Sequence, residues 1–387
     1  MSKVKQEARE LGMSQSLLRA CEVVKCFPGP KATHDLKEVA AMCALSTTTA
    51  HRILKTLVEG GLLERRQKNL YGRKDVGQRS ARYRFGYAAQ TNENSFSRLV
   101  TESIRSYAYT NNIELVVADN RYSTTSALRN AELFAREKVD LAIEFQTIES
   151  AAPRIVSTLR GANIPIIAME IPHPGAFYYG ANNYRAGVIG GKALAQACLS
   201  RWSGKVDQVL LLAQPVAGAL PQARLDGTVA MLRELLPKFS TGLVRVVDGK
   251  GRFEASLNAV RRCLRFNSSE RVLVSGVNDL SCLGALRAFS EAGLEENCII
   301  VGQNAVIEAR IELRQPGTPY VGTVGYFPEQ YGELVITLAL DILQDRKPPH
   351  STFVRHQLIT KENVDSLYPN DETMLKVHGD LLLANSR

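Results

Sequence analysis

Residues 46–57, STTTAHRILKTL, concentrate hydroxyl, imidazole and cationic side chains at positions that a helix would leave outside its buried face. Threonine hydroxyls can bind base edges and phosphates in DNA, and an arginine can bind guanine or a phosphate through two N–H groups. The candidate DNA-contacting residues are Ser46, Thr47, Thr48, Thr49, His51, Arg52 and Lys55. The segment alone leaves open the alternative of a surface helix with ordinary polar residues.

The apolar residues of the same segment predict the helix that would carry this set. They recur at helical spacing and are Ala50, Ile53, Leu54, Leu57 and Val58. Ser46 is the expected N-cap, because its hydroxyl can accept a hydrogen bond from an amide that has no helical partner, and Gly60-Gly61 is expected to end the helix.

Two helical patterns precede this helix. The first contains Leu17, Cys21, Val24 and Phe27, and the prolines of FPGP at 27–30 end it. In the second, Thr33 or His34 leads into DLKEVAAMCAL, whose shared face is Leu36, Val39, Ala40 and Cys43. Only Ala44 and Leu45 separate this pattern from the N-cap of the third helix. The pair therefore predicts a helix-turn-helix, in which the second helix of the motif enters the major groove amino end first.

The net charge of the chain lies in the same region. Residues 1–84 contain 17 Lys and Arg against 8 Asp and Glu, which accounts for the whole net charge of +9. An excess confined to one small domain is expected of a protein that binds a polyanion, so nucleic acid is the leading partner on charge.

Two short β-like runs, 62–66 and 70–73, follow the third helix and predict a wing beside it. The cations expected along the phosphate backbone are Arg65, Arg66, Lys68, Arg73 and Lys74. QSLLRACEVVKCF and LKEVAAMCALSTTTAHRILKTLVEGGLLERR resemble the winged helix-turn-helix of IclR-type bacterial transcription regulators across about residues 14–74. The segment TAHRILKTLVEGGLLER is the specific part of this resemblance.

From residue 83, apolar strand-like runs alternate with amphipathic helical segments. The runs are 83–90, 113–119, 139–145, 164–170, 177–182, 208–214, 244–249, 271–278, 298–304 and 320–326. This alternation predicts parallel sheets covered by helices, and some ten strands over about 280 residues favour two sheet domains over one. Ligands of such folds bind at the carboxyl ends of the strands, so polar residues at these ends are site candidates.

Six segments in this region resemble the periplasmic sugar-binding fold that forms the effector domain of lac-repressor-type regulators, across about residues 83–368. They are TNENSF, GANIPIIAMEIP, GANNYRAGVIGGKALA, VNDLSCLGALRAFSEAG, IIVGQNA and VGTVGYFPEQYGELV. The resemblance implies a two-lobe α/β domain of the type I class, with a sugar bound between the lobes. The ligand-binding residues that it implies are Asn92, Glu93, Phe96, Glu170, Arg224, Asn278, Asn304 and Tyr326. Phe96 would stack on a sugar face, and Tyr326 would lie at the last crossing between the lobes.

Some of these residues also have structural interpretations. Asn278 and Asp279 can cap a helix that begins at Leu280. Arg224 and Glu170 can form a salt bridge that closes the lobes without a ligand. The chain also departs from the family pattern, because Glu170-Ile171 replaces its Asp-Arg pair and Asn304 replaces an aspartate. The identity of the effector therefore remains open.

Motifs for catalysis and for metal binding are missing from the sequence. GANNYRAGVIGGKALA lacks GxGxxG after a strand, and the chain contains no Walker lysine loop, GxSxG or HExxH. The seven cysteines are scattered and form no CxxC, which is typical of reduced cytosolic thiols. We expect no cofactor, no metal and no membrane span, and a cytoplasmic location.

The sequence thus predicts a multidomain protein, with a mainly α winged helix-turn-helix followed by a periplasmic-binding-protein-like α/β domain. The predicted boundaries are 1–74 for the DNA-binding domain, 75–82 for a linker, 83–368 for the effector domain and 369–387 for a tail. The predicted function is a ligand-responsive transcription regulator that binds a DNA operator as a homodimer. One alternative is a regulator whose sensor domain has lost its ligand and only dimerises, and an enzyme is a second alternative.

Overall fold

The computed structural model describes residues 14–27, 32–66, 70–73, 81–265 and 271–371. Lys68, Lys74 and residues 75–80 of the predicted linker lie outside the described residues, as do residues 372–387. The chain divides into two compact units, Met1–Ala81 and Arg82–Arg387.

Within its described residues, the first unit contains three helices and a three-stranded antiparallel sheet. The elements are α1 (Gln15–Lys25), β1 (Thr33–His34), α2 (Leu36–Met42), α3 (Thr47–Glu59), β2 (Leu63–Arg65) and β3 (Tyr71–Arg73). The sheet order is β1-β3-β2, so the predicted wing is present and gains an unpredicted strand. Asp35 and Glu38 form a capping box that begins α2.

The apolar pattern predicted for α1 is only partly buried. Leu17 is 68% exposed and Cys21 is exposed, whereas Val23 and Phe27 are fully buried. The helix ends at Lys25, so Phe27 enters the core from beyond the helix. The prediction assigned Val24 to the buried face, whereas Val23 is the fully buried residue. Val23 and Val24 are equally apolar, so helical spacing alone does not choose between them.

The second unit contains two lobes, each built around a six-stranded sheet. The sheet of the first lobe has the order β14-β8-β7-β6-β4-β5, and all of its pairs are parallel. Its elements are β4 (Tyr83–Ala89), α4 (Ser95–Thr110), β5 (Ile113–Asp119), α5 (Thr124–Arg136), β6 (Leu141–Glu144), α6 (Ala152–Gly161), β7 (Ile166–Met169), β8 (Phe177–Gly180), α12 (Tyr331–Leu343) and β14 (Ser351–Phe353). Every residue of β6 and β7 is buried, as expected for parallel strands that are covered on both faces.

The sheet of the second lobe has the order β10-β9-β11-β12-β13-β15, in which only β15 is antiparallel to its neighbour. Its elements are α7 (Asn183–Trp202), β9 (Gln208–Ala213), α8 (Ala219–Leu235), β10 (Val244–Asp248), α9 (Phe253–Leu264), β11 (Val272–Gly276), α10 (Asp279–Glu291), β12 (Cys298–Asn304), α11 (Ile307–Leu313), β13 (Tyr320–Gly325), β15 (Gln357–Ile359) and α13 (Val364–Leu367). All ten predicted strands are present, whereas the three-residue strands β14 and β15 were not predicted.

The chain crosses between the lobes at three places: after β8, after β13, and between β14 and β15. Tyr326 lies at the second crossing, so its predicted position at the last crossing is wrong, because the last crossing joins the two unpredicted strands. His356 lies there and connects all three: the Asn182 amide donates to His356 Nε2 over 3.0 Å, and the His356 ring packs against Tyr326. Burial, with a further contribution from Arg224, lowers the pKa of His356 to about 4, so the ring is neutral and can accept this bond.

Among the described residues, no helix has the length and hydropathy needed to cross a membrane.

Candidate functional site

The exposed face of α3 carries the predicted DNA-contacting residues. Thr47, Thr48, His51, Arg52 and Lys55 are exposed, while Ala50 and Leu54 are fully buried on the opposite face. Among the described residues, the side chains of Thr48, Arg52 and Lys55 make no ion pair and no hydrogen bond, so their donors are available to a partner.

Ser46 and Thr49 hold the amino end of α3 together. The Thr49 amide donates to Ser46 Oγ over 3.2 Å, and Ser46 Oγ donates to Thr49 Oγ1 over 2.9 Å. The preceding turn uses Ala44 with φ +49° and is closed by a bond from the Leu45 amide to the Ala40 carbonyl. Ser46 is therefore the N-cap that the sequence predicted, and the amino end of α3 is solvent-exposed.

The wing contributes two of its predicted cations to the described surface. Arg65 is exposed, and Arg66 Nε lies 2.8 Å from Glu64 Oε1. The side chain of Arg73 lies outside the described side chains, as do Lys68 and Lys74. Contact of these residues with a phosphate backbone stays a prediction.

A cleft lies between the two lobes of the second unit, at the carboxyl ends of the strands of both sheets. It is lined by Gln90, Asn94, Phe96, Tyr122, Phe145, Thr147, Glu170 and Ile171 from the first lobe, by Gln214, Ala217, Pro221, Arg224, Gly251, Val277, Asn278, Asp279, Leu280, Asn304 and Val306 from the second, and by Tyr326. Aromatic rings and uncharged hydrogen-bonding groups dominate this lining, which is the composition expected of a site for a small polar ligand.

The central pair of the cleft is formed by Glu170 and Arg224. Glu170 follows β7 in the first lobe with φ +61°, and Arg224 lies on α8 in the second lobe. Arg224 Nη2 donates to Glu170 Oε2 over 3.2 Å, and Tyr331 OH donates to Glu170 Oε1 over 2.7 Å. Arg224 also donates from Nε to Asn183 Oδ1 over 2.5 Å. The pair therefore forms a salt bridge between the lobes, which was its structural interpretation.

Close packing of α7 against α8 positions Arg224. A Cβ atom on Gly187 would overlap the Arg224 carbonyl, and one on Gly227 would overlap the Tyr184 carbonyl. Gly187 and Gly191 of GANNYRAGVIGGKALA therefore let two helices approach each other, which explains these glycines without a dinucleotide.

Asn304 lines the cleft and carries an unpaired polar atom. Its Oδ1 is buried and has no hydrogen-bond partner among the described residues. The backbone adopts positive φ at Asn304 (+104°) and Ala305 (+56°), a conformation that side-chain-bearing residues rarely adopt and that is enriched at binding sites. A buried acceptor without a donor costs free energy, so a ligand that supplies an N–H or O–H would recover it.

Asn278 caps a helix, which was its structural interpretation. Its Oδ1 accepts from the Ser281 amide as the N-cap of α10, and its Nδ2 donates to the Gly251 carbonyl. Asp279 is fully buried and accepts from Tyr320, from Thr323 and from the Val306 amide. Burial raises the pKa of Asp279 to about 7, although these donors act to lower it.

The other predicted ligand-binding residues divide between the cleft and the surface. Phe96 is buried, lines the cleft and packs edge-on against Phe145. Asn92 and Glu93 are exposed and do not line the cleft; Asn92 Nδ2 instead donates to Asp119 Oδ2 over 3.1 Å. Tyr326 is buried in the lining, and the Arg224 guanidinium lies 5.0 Å from its ring centroid.

Sequence reasoning missed five polar lining residues: Gln90, Asn94, Tyr122, Thr147 and Gln214. Asn94 Nδ2 donates to Tyr122 OH over 2.6 Å, and the Arg252 guanidinium of the second lobe lies 4.6 Å from the Tyr122 ring centroid. Gln90 and Gln214 end predicted strand runs. Tyr122 and Thr147 follow such runs within three residues, so strand ends alone could have identified four of the five. Among the described residues, no cluster of side chains has the composition of a metal site.

Two family models match the chain. A model of the periplasmic binding protein domain matches residues 85–347, and a model of the IclR helix-turn-helix domain matches residues 16–67. These matches confirm both resemblances drawn from the sequence. No curated protein has significant sequence similarity to the chain.

Solved structures with a similar fold include three solute-binding proteins. An ABC transporter periplasmic solute binding protein from Actinobacillus succinogenes 130z with bound D-allose has 19% identity and a TM-score of 0.64, and the match covers 74% of this chain and 100% of that chain. An ABC transporter solute binding protein from Bacillus halodurans C-125 with bound myo-inositol has 19% identity and a TM-score of 0.62, covering 75% and 98%. A glucose-galactose binding protein from Geobacillus stearothermophilus has 20% identity and a TM-score of 0.62, covering 73% and 98%. At these identities the likeness shows the fold.

Proposed function

Because the chain belongs to the periplasmic binding protein domain family and carries an IclR-type helix-turn-helix domain, we propose that it is a cytoplasmic, ligand-responsive transcription regulator. Its effector is a sugar or a related small polar molecule that binds between the two lobes of the second unit. The first unit binds double-stranded operator DNA, and the regulator acts as a homodimer.

The unpaired Oδ1 of Asn304 is the observation that carries the ligand-binding proposal. The atom is buried, and Asn304 lines a cleft whose other polar groups, among them Gln90, Thr147 and Gln214, come from both lobes. A hydroxyl-rich molecule supplies the donor that Asn304 lacks, and Phe96 and Tyr326 offer apolar surface for the sugar ring. The D-allose and myo-inositol bound by two proteins of the same fold support this ligand class.

Binding in this cleft would act on DNA affinity through lobe closure. Glu170 and Arg224 come from different lobes, and His356 joins the three crossings, so a ligand that contacts both lobes changes how they are held together. In a dimer, such a change alters the spacing of the two α3 helices. DNA affinity and effector affinity are then coupled reciprocally.

The competing proposal is a sensor domain that only dimerises. Its support is the Glu170–Arg224 pair, because two side chains that bind each other close the cleft without a ligand. Catalysis has no comparable support, since the two matched families are a DNA-binding domain and a solute-binding domain.

A thermal-shift screen of the full chain separates the two proposals. The screen contains D-allose, myo-inositol, D-glucose, D-galactose and the common pentoses. A ligand at about 100 times its Kd stabilises the protein that binds it by about 2.7 kcal/mol, which raises the melting midpoint of the second unit. A screen in which no sugar moves the midpoint would favour the dimerisation-only proposal.

A further inference from the structure

The segment that follows β15 is fixed to α11 by a buried ion pair. Arg310 donates from Nε and Nη2 to the two carboxylate oxygens of Asp371, over 2.9 and 2.7 Å. Arg310 is 5% exposed and Asp371 is also 5% exposed. Two parallel bonds of this kind fix the plane of the guanidinium, so the direction of its remaining N–H groups is fixed as well.

One of those remaining groups is directed at the cleft loop. Arg310 Nη1 donates to the Ala305 carbonyl over 2.6 Å. Ala305 and Asn304 are the two residues with positive φ at the end of β12, and Asn304 carries the unpaired Oδ1. The amides on the other side of this loop are also bonded, Ala305 to Thr323 and Val306 to Asp279. Arg310 therefore supplies the bond to the carbonyl side of a strained loop.

The same guanidinium connects to a lobe crossing through an aromatic stack. The Tyr368 ring centroid lies 3.8 Å from the Arg310 guanidinium carbon, and Tyr368 stacks on Phe327 with a centroid separation of 6.4 Å. Phe327 lies at the second crossing with φ +54°. Arg310 thus contacts, directly or through one ring, both the Asn304 loop and a segment that joins the lobes.

We propose that Arg310, held by Asp371 and Tyr368, is a positioning residue for effector binding. It keeps the Asn304–Ala305 backbone in its left-handed conformation and so directs the Asn304 amide into the cleft. The inference rests on the proposed function, because the loop needs this precision only if a ligand binds Asn304. It also makes Asp371, which lies in the predicted tail, part of the sensor.

Two carboxylates in the same segment allow a matched comparison on the full chain. Asp371→Asn removes the buried carboxylate that fixes Arg310 and that also accepts from Arg314 Nη1 over 2.9 Å. Asp365→Asn removes a carboxylate with an 80% exposed side chain, which binds Arg314 Nε over 2.8 Å and does not touch Arg310. Amide hydrogen exchange of peptides covering residues 303–308 reports the loop, and calorimetric titration with D-allose and with myo-inositol reports the cleft.

We expect Asp371→Asn to accelerate exchange at residues 303–308 about tenfold and to weaken sugar binding about tenfold, while Asp365→Asn matches the wild type in both. Asp371→Glu, which retains a carboxylate, is expected to recover part of each effect. If Asp371→Asn does not fold, Arg310→Lys tests the same bond. Lysine keeps the charge but lacks the planar fork that binds both Asp371 oxygens while it donates to the Ala305 carbonyl.

Exchange at residues 303–308 that equals the wild type in Asp371→Asn or Arg310→Lys overturns the inference. Acceleration spread evenly over the second lobe overturns it too, because a general loss of stability would then explain the result. Wild-type protein that binds neither sugar counts against the proposed function for these two ligands, while the exchange experiment still decides whether Arg310 positions the loop.

Discussion

Glu170 and Arg224 bind each other across the cleft, although one follows a strand of the first lobe and the other lies on a helix of the second. Both side chains are 9% exposed, and the Glu170 carboxylate also accepts from Tyr331. The pair therefore stabilises a closed arrangement of the lobes. The other two guanidinium nitrogens of Arg224 donate to Asn183 and to the Val277 carbonyl. A role of Arg224 in effector binding and a purely structural role as a salt bridge between the lobes make different predictions.

Removing Arg224 is expected to abolish the effector response and to reduce stability. Arg224→Ala leaves the Glu170 carboxylate buried without its cation, which costs about 3–5 kcal/mol of unfolding free energy. Arg233→Ala is the matched control, because Arg233 is an exposed arginine on the same helix. Denaturant unfolding measures the stability, and calorimetric titration measures sugar binding. Equal sugar affinities in wild type and Arg224→Ala would leave Arg224 with a structural role only.

Replacing Asn304 is expected to weaken sugar binding about tenfold without loss of fold, because the ligand then loses a buried acceptor. Asn92→Ala is the control, since Asn92 is exposed and outside the cleft lining although the sequence assigned it to the site. Calorimetric titration of both variants measures the effect. A larger loss of affinity in Asn92→Ala than in Asn304→Ala would move the site towards the surface loop of residues 92–93.

On α3, Arg52→Ala and Thr48→Ala are expected to weaken operator binding by about 1–3 kcal/mol each, the cost of a lost base contact. Both residues are exposed, so circular dichroism should show unchanged secondary structure. Arg233→Ala removes the same charge from the second unit and should leave DNA affinity unchanged. Fluorescence anisotropy with operator DNA gives the affinities, and unchanged values for both α3 variants would remove α3 from the DNA interface.

The burial of Glu144 predicts that the free energy of unfolding depends on pH. It is fully buried at the end of β6, neither carboxylate oxygen has a partner among the described residues, and burial raises its pKa to about 8. The folded protein favours the protonated form of Glu144, so its contribution to the free energy of unfolding is fully present below pH 4.5. As the pH rises from 4.5 through 8 this contribution is lost, because Glu144 ionises at a lower pH in the unfolded chain than in the folded protein.

Glu144→Gln is therefore expected to gain stability over the wild type between pH 5 and pH 9, by on the order of a few kcal/mol. Glu132→Gln, at an exposed position on α5, should show no such gain. Thermal unfolding across this pH range tests the difference, and parallel pH profiles for wild type and Glu144→Gln would contradict it.

The sequence predicted the elements whose apolar pattern is continuous and missed those whose pattern is short. β5 and β12 have the predicted bounds, and each contains four consecutive apolar residues, at 115–118 and 298–301. β14 and β15 are three residues long and partly exposed, so neither length nor burial marks them. Because β14 and β15 were not predicted, the crossing that joins them was not predicted either, and Tyr326 was assigned to the last crossing.

The resemblance predicted part of the cleft lining, but it did not identify Gln90, Tyr122, Thr147 and Gln214, which also lie at strand ends. Glu170, Arg224 and Asn304 line the cleft as the resemblance implied. Asn278 lines the cleft at a strand end, as a ligand-binding residue would. Its Oδ1, however, accepts from the first turn of α10, and its Nδ2 donates to the Gly251 carbonyl. The Arg310–Asp371 pair joins residues 61 positions apart, and no local pattern reports such a contact.

Operator affinity, measured with and without the sugar that stabilises the protein most, tests the central claim most directly. The operator is selected from random DNA with the full chain, and anisotropy titrations give its Kd in each condition at one salt concentration. The account predicts a change of about fivefold or more with sugar in the wild type and none in Arg224→Ala. A sugar that binds the wild type at the cleft yet leaves the operator Kd unchanged would contradict the claim that this protein couples the two sites.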